Sequence, residues 1–190
     1  MADISALGTL QAVEMLDLDN YKDVSEAAPL PKAGRYTVRA PESFPSAAFG
    51  RTRAGALSVQ VDPTIIAPSN EGYQIRYTKI SAKPFKRGGV TVSQVGDYLR
   101  ANGFKGKLTS EKEIIDAVES TVNRTYEVQV DWRAYNKNTG FSLEGMENFP
   151  SDGNGGHQPW CEDPEAKDEN GNPQRLRANL VVDRYVPLSV

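Results

Sequence analysis

The spacing of hydrophobic residues changes along the chain, and each change predicts a different element. Tyr36 and Val38 alternate with polar neighbours, and the same period of two runs through the stretch LSVQVD. Such alternation is typical of a strand with one buried face. The stretch YQIRYTKI also looks like a strand. We therefore predict three strands, near residues 34–39, 57–62 and 73–80.

The pattern becomes helical after the two glycines at positions 88 and 89. Two apolar faces with helical spacing follow: Val92, Val95, Tyr98 and Leu99, then Ile114, Ile115, Val118 and Val122. Gly103 stands where a glycine commonly ends a helix in the left-handed conformation. Ser110 and Glu113 have the spacing of a capping box, which predicts the start of the second helix.

The clearest strand is the fourth, in which Tyr126, Val128, Val130 and Trp132 alternate with charged or polar residues. This alternation favours a core position for Trp132. Residues 136–177 are polar and rich in turn formers, and we predict a long loop insertion there. A fifth strand closes the chain at 178–186.

This order predicts a mainly β fold with a helical insertion: a five-stranded OB-fold-like Greek-key barrel, with helices between strands 3 and 4. We expect a single domain over residues 31–190. Residues 1–30 are expected to form an acidic N-terminal arm or a short helix.

Charge is distributed unevenly, although the net charge of the chain is only −3. Residues 31–110 hold thirteen Lys/Arg against four acids, a net of +9. Residues 1–30 have a net charge of −5 and residues 111–190 a net charge of −7. Because a polyanion responds to the local field, the middle segment predicts a polyanionic partner.

Other features exclude several classes of protein. The single cysteine, Cys161, permits no intrachain disulfide, so we expect an intracellular protein. No apolar run is long enough to cross a bilayer, and the first residues lack the basic region of a secretory signal. There is no phosphate-binding loop or nucleophile elbow, and the cluster HQPWCED falls short of a four-ligand zinc site. We therefore expect no enzymatic activity, no metal and no cofactor.

Binding a flexible nucleic-acid strand requires cations for the phosphates and flat rings for the bases. In an OB-fold both lie on the face of strands 2 and 3 and in the neighbouring loops. The candidate residues are Arg51, Arg53, Arg76, Tyr77, Lys79, Lys83, Phe85, Lys86, Arg87, Arg133 and Tyr135. Two of these assignments have alternatives: Tyr77 shares a strand face with Ile75, which also suits the core, and Lys86 and Arg87 also suit a solvated turn.

The chain resembles phage-encoded single-stranded-DNA-binding proteins of the OB-fold class. The matching stretches are LPKAGRYTVRAPE, LSVQVD, YQIRYTKI, VSQVGDYLRANG, TYEVQVDWRAYNKNTG and RANLVVDRYVP, which together span most of residues 30–187. The resemblance implies binding of single-stranded DNA without sequence preference, in phage replication or recombination in the cytoplasm of a bacterial host. Replication or recombination proteins would be further partners, and a homo-oligomer is compatible with the sequence.

A second hypothesis belongs to another class of protein. In a structural or assembly protein, such as a virion component, the basic segment would bind an acidic protein partner instead of a nucleic acid.

Overall fold

The computed structural model describes residues 30–153 and 157–187. The chain divides after Leu30, and the unit described below is Pro31–Val190. The predicted acidic arm, apart from its last residue, lies outside the described residues. In chain order the elements are β1 (Gly34–Arg39), β2 (Phe49–Arg51), β3 (Leu57–Gln60), β4 (Thr64–Ile65), β5 (Lys79–Ser81), β6 (Phe85–Arg87), β7 (Val90–Val92), α1 (Gln94–Ala101), α2 (Glu111–Glu119), β8 (Thr125–Tyr135), β9 (Ser142–Glu144), β10 (Trp160–Lys167), β11 (Pro173–Arg177) and β12 (Asn179–Val186). Three short 3-10 helices lie at Ser46–Ala48, Pro68–Asn70 and Met146–Asn148.

The long strand β8 organises the largest sheet. It pairs antiparallel with β1 on one side and β12 on the other, while β4 extends the sheet beyond β1 and β9 pairs with the end of β8. Alternate residues of β8 from Tyr126 to Ala134 are buried, as the sequence period predicted. Trp132 lies in the core, and its indole nitrogen donates a hydrogen bond to the carbonyl oxygen of Pro31 at 2.8 Å.

The remaining strands form three smaller antiparallel sheets: β2–β3–β5, the hairpin β6–β7 and the hairpin β10–β11. The mainly β class is therefore confirmed. None of the sheets formed by the described residues closes into a barrel, so the barrel itself is not part of the observed architecture.

The prediction of a third strand over residues 73–80 is wrong for most of its length. Regular pairing begins only at Lys79, where β5 joins β3. Before it, the backbone makes irregular bonds, such as Ile75 N–H to the carbonyl of Pro63 at 2.8 Å, and Tyr77 adopts a left-handed φ of 62°. A residue in that conformation cannot continue a strand, so Arg76 and Tyr77 lie in a turn.

The two helices lie between β5 and β8, where the sequence placed them. Ser93 caps α1 by accepting a hydrogen bond from Gly96 N–H, and Gly103 follows the helix with a φ of 84°. Helix α2 begins with the capping box of Ser110 and Glu113. None of the helices in the described parts of the chain is long and apolar enough to cross a membrane.

A cluster of three tyrosines fills the core where α1 faces the main sheet. The Tyr98 ring packs edge-on against both Tyr126 and Tyr185, at centroid distances of 5.4 and 5.5 Å. The Tyr98 hydroxyl is 2.6 Å from the Thr121 hydroxyl, and burial raises the pKa of Tyr98 to about 12. The buried hydroxyl of Tyr126 has no hydrogen-bond partner among the described residues.

The segment 136–177, predicted as a loop, contains β9, β10 and β11. The buried side chain of Asp163 joins β10 to the turn between β8 and β9, because it accepts hydrogen bonds from the Asn136 amide and the Thr139 hydroxyl, both at 2.7 Å, and from Glu165 N–H at 2.8 Å. Burial alone would raise the pKa of Asp163, but the hydrogen bonds outweigh it and the pKa is lowered. The polar segment 136–177 thus folds around the buried carboxylate of Asp163.

Candidate nucleic-acid interface

Residues 76–92, which we call the basic arm, form a basic segment that is largely exposed. It comprises the turn at Arg76 and Tyr77, strand β5 and the hairpin β6–β7. It holds five Lys/Arg and no Asp or Glu. Residues 83–91 are exposed without interruption. Seven of the eleven predicted site residues lie in this arm: Arg76, Tyr77, Lys79, Lys83, Phe85, Lys86 and Arg87.

Four of the five cations of the basic arm form no ion pair with any carboxylate of the described residues: Arg76, Lys79, Lys83 and Lys86. The fifth, Arg87, contacts Asp97 of α1 at 2.8 Å, and its guanidinium also lies 5.2 Å from the centre of the Phe85 ring. Arg87 therefore anchors the hairpin to α1, while the other four cations remain available to an external anion.

Two aromatic side chains of the basic arm are exposed. Tyr77 has 76% of its surface exposed and Phe85 has 39%. The alternative that Tyr77 packs in the core is wrong, because the left-handed backbone at this residue turns its side chain outward. A non-glycine residue in this conformation is strained by about 1–3 kcal/mol, and such strain is concentrated at functional sites.

The hairpin β6–β7 has a fixed register. Its two-residue turn consists of Gly88 and Gly89, with φ values of 57° and 81°. Positive φ at both positions is the requirement of a type I′ turn, which glycine meets without strain. Lys86 pairs with Thr91, and its ammonium donates to the Thr91 hydroxyl at 2.8 Å. Lys86 and Arg87 are thus strand residues, although both are exposed.

Arg51 and Arg53 lie outside the basic arm. Arg51 is on β2 and forms a two-pronged ion pair with Glu111 of α2, at 2.6 and 2.8 Å. Arg53 is exposed in the turn between β2 and β3. Both Arg51 and Lys79 pair with residues of β3: Arg51 lies opposite Leu57, and Lys79 lies opposite Gln60. Because alternate residues of β3 face opposite sides, Arg51 and Lys79 lie on opposite faces of this sheet.

Arg133 and Tyr135 belong to the main sheet. They share one face at the end of β8, and Tyr135 is 60% exposed. Arg133 forms an ion pair with Glu144 of β9 at 2.8 Å. An ion pair with the protein's own carboxylate reduces the charge that Arg133 offers to phosphate.

Three further exposed residues, one within the basic arm and two beside it, have no role predicted from the sequence. Val90, on β7, is 64% exposed, and Arg100 and Lys105 lie beside the hairpin at the end of α1. The one available signal was that Arg100 and Lys105 belong to the segment with a net charge of +9. The spacing of residues along the chain does not show which cations come together on one surface of the folded protein.

The cluster HQPWCED is distributed over separate contacts. The His157 ring nitrogen Nδ1 is 2.8 Å from the Phe149 carbonyl oxygen, Cys161 is buried, and Asp163 is engaged as described above. Among residues 30–153 and 157–187 there is no group of three His, Cys, Asp or Glu side chains arranged to hold a metal ion.

No family model, no curated protein and no solved structure matches the chain.

Proposed function

We propose that the protein binds single-stranded DNA without sequence preference through its basic arm. The observation that carries this proposal is the composition and exposure of residues 76–92: four cations without a carboxylate partner, two exposed rings and no acid. Cations bind phosphates and rings stack on bases, and neither interaction reads sequence. The resemblance to phage single-stranded-DNA-binding proteins supports the same proposal and supplies its setting, DNA replication or recombination.

An OB-fold-like architecture is part of this proposal. After the helical excursion, β8 returns to lie beside β1, which is the defining connection of a Greek key. The helices also fall between the third and fourth principal strands. These two features support an open relative of the barrel, in which the sheet β2–β3–β5 presents Lys79 beside Gln60.

Fluorescence anisotropy with labelled oligo-dT tests the proposal directly. Four phosphate contacts predict a slope of about −3 for log affinity against log salt, and hence a loss of about fiftyfold between 50 and 200 mM. Unlabelled oligo-rU and duplex DNA serve as competitors, and we expect duplex DNA to compete poorly because its bases are not available for stacking.

The absence of oligo-dT binding at 50 mM salt contradicts the proposal. Binding of a polyglutamate peptide to the basic arm in its place would favour the second hypothesis, a structural or assembly protein with an acidic partner.

A further inference from the structure

A groove lies between the hairpin β6–β7 and the helices. It encloses about 610 Å³, which is within the usual range of ligand sites. Its lining includes the aliphatic side chains of Val92, Val95, Leu99, Leu108 and Ile114 and the ring of Phe104, beside polar and charged residues. Leu108 is 38% exposed. The groove therefore has an apolar part that the described residues leave open.

The charge around the groove is positive. Arg100 and Lys105 line it, and neither forms an ion pair with a carboxylate of the described residues. The one acid in the lining, Asp97, is already paired with Arg87 at 2.8 Å. A partner that fits both the lining and the rim carries apolar side chains flanked by carboxylates.

The lining favours a peptide over a nucleic acid. Bases bind single-strand proteins by stacking on aromatic faces, and the only aromatic ring of this lining, that of Phe104, lies against the guanidinium of Arg124 at 5.1 Å. Aliphatic side chains offer no flat ring to a base. They pack well against the aliphatic or aromatic side chains of a peptide.

Two residues of an edge strand also line the groove. Thr91 and Val92 of β7 line it, and β7 pairs with β6 and with no other strand of the described residues. An extended peptide can add to such an edge through main-chain hydrogen bonds, with alternate side chains entering an adjacent pocket.

We propose that this groove binds an acidic peptide segment of a protein partner, in which apolar residues alternate with Asp or Glu. None of the five cations of the basic arm lines the groove, so the protein would hold a strand and recruit a partner through neighbouring surfaces. The proposal does not depend on nucleic-acid binding.

The test uses the full chain and a fluorescein-labelled probe peptide, Asp-Asp-Leu-Asp-Phe-Asp-Ile-Asp-Asp. We expect saturable binding, which the double variant Arg100→Glu with Lys105→Glu weakens about tenfold, because both rim contacts become repulsive. Leu108→Ser, which removes part of the exposed lining, is expected to weaken binding severalfold. The matched control Lys137→Glu with Lys167→Glu changes two exposed cations outside the groove and should leave the affinity unchanged.

Three results would overturn the proposal. They are no binding of the probe to the unmodified protein, equal weakening by the groove variant and the control, and a loss of oligo-dT affinity in Arg100→Glu/Lys105→Glu as large as the loss for the peptide. The last would assign the groove to nucleic acid. A failure of oligo-dT binding with intact peptide binding would overturn the proposed function alone.

Discussion

Strand β8 and the basic arm use the same kinds of residue in opposite ways. In β8 the aromatic rings of Tyr126 and Trp132 are buried, and the cation Arg133 is paired with Glu144. In the basic arm the rings of Tyr77 and Phe85 are exposed, and most cations have no carboxylate partner. The residue types alone therefore do not distinguish a core strand from a binding surface.

The difference lies in what each region contributes to folding. The side chains of β8 fill the centre of the main sheet, so the burial of alternate positions dictates its sequence. The hairpin of the basic arm buries little, and it is held by its glycine turn and by the contact between Arg87 and Asp97. Core packing does not account for a run of cations and rings there, which is why we propose that the basic arm binds a ligand.

The largest expected effect is on the free energy of unfolding and comes from a substitution in β8. Tyr126→Ala removes a fully buried ring and should lower the free energy of unfolding by about 3–5 kcal/mol. Tyr126→Phe keeps the ring and removes a hydroxyl that has no partner, so it should leave stability unchanged or raise it slightly. Urea denaturation measures both. A large loss in Tyr126→Phe would mean that the hydroxyl has a partner, such as a buried water.

The second prediction concerns the buried carboxylate of Asp163, which accepts a hydrogen bond from Asn136, the residue directly after β8. Asp163→Asn should lower the Tm at pH 7, because an amide cannot accept all the hydrogen bonds that the carboxylate accepts. The pKa of Asp163 is lower in the folded protein than in the unfolded chain, where it is about 3.9. Its contribution is therefore present above that pH and lost as the pH falls below about 4.

Thermal denaturation of Asp163→Asn and the unmodified protein from pH 7 to pH 3 checks this prediction. The two Tm values should converge on acidification. A constant difference would show that the ionisation of Asp163 does not contribute.

The next largest effect concerns the cations of the basic arm. It is an effect on the affinity for oligo-dT and not on stability. Lys83→Glu with Lys86→Glu should weaken oligo-dT binding on the order of a hundredfold at 50 mM salt and reduce the salt slope by about 1 to 2. The Tm should change little, because both side chains are exposed. Arg87 is left unchanged in this variant, since its replacement would break the ion pair with Asp97. The control is again Lys137→Glu with Lys167→Glu.

The smallest predicted effect separates stability from binding at one residue. Tyr77→Gly relieves the left-handed backbone and should stabilise the fold by about 1 kcal/mol. The same change removes an exposed ring and should weaken oligo-dT binding about tenfold. Unfolding and anisotropy measurements on this variant thus move in opposite directions. If both remained unchanged, Tyr77 would be neither strained nor in contact with bases.

The sequence predicted the elements whose pattern reflects burial or capping. Strand β8, the helix capped by Ser110 and the core position of Trp132 follow from local periodicity and hydrogen-bonding chemistry. The third strand was mispredicted because alternation in YQIRYTKI is interrupted by backbone geometry at Tyr77 that no periodicity reveals. The insertion was mispredicted because its fold depends on Asp163 contacting Asn136 and Thr139, which are distant in sequence.

The candidate site was predicted residue by residue but not as a surface. Seven of the residues chosen for their charge or ring lie in the basic arm, and all seven are exposed. The partners of Arg51, Arg87 and Arg133 are carboxylates from other elements, and pairing of this kind requires the tertiary structure.

The turn at Gly88 and Gly89 has one further consequence. Because the hairpin register is fixed, the neighbours Lys86 and Arg87 project from opposite sides of a thin ribbon, one toward the hydroxyl of Thr91 and the other toward α1. A ribbon two strands wide has no interior, so the side chains on its two sides share the same pair of strands. A change in the register of the hairpin would therefore move the contacts of Lys86 and Arg87 together.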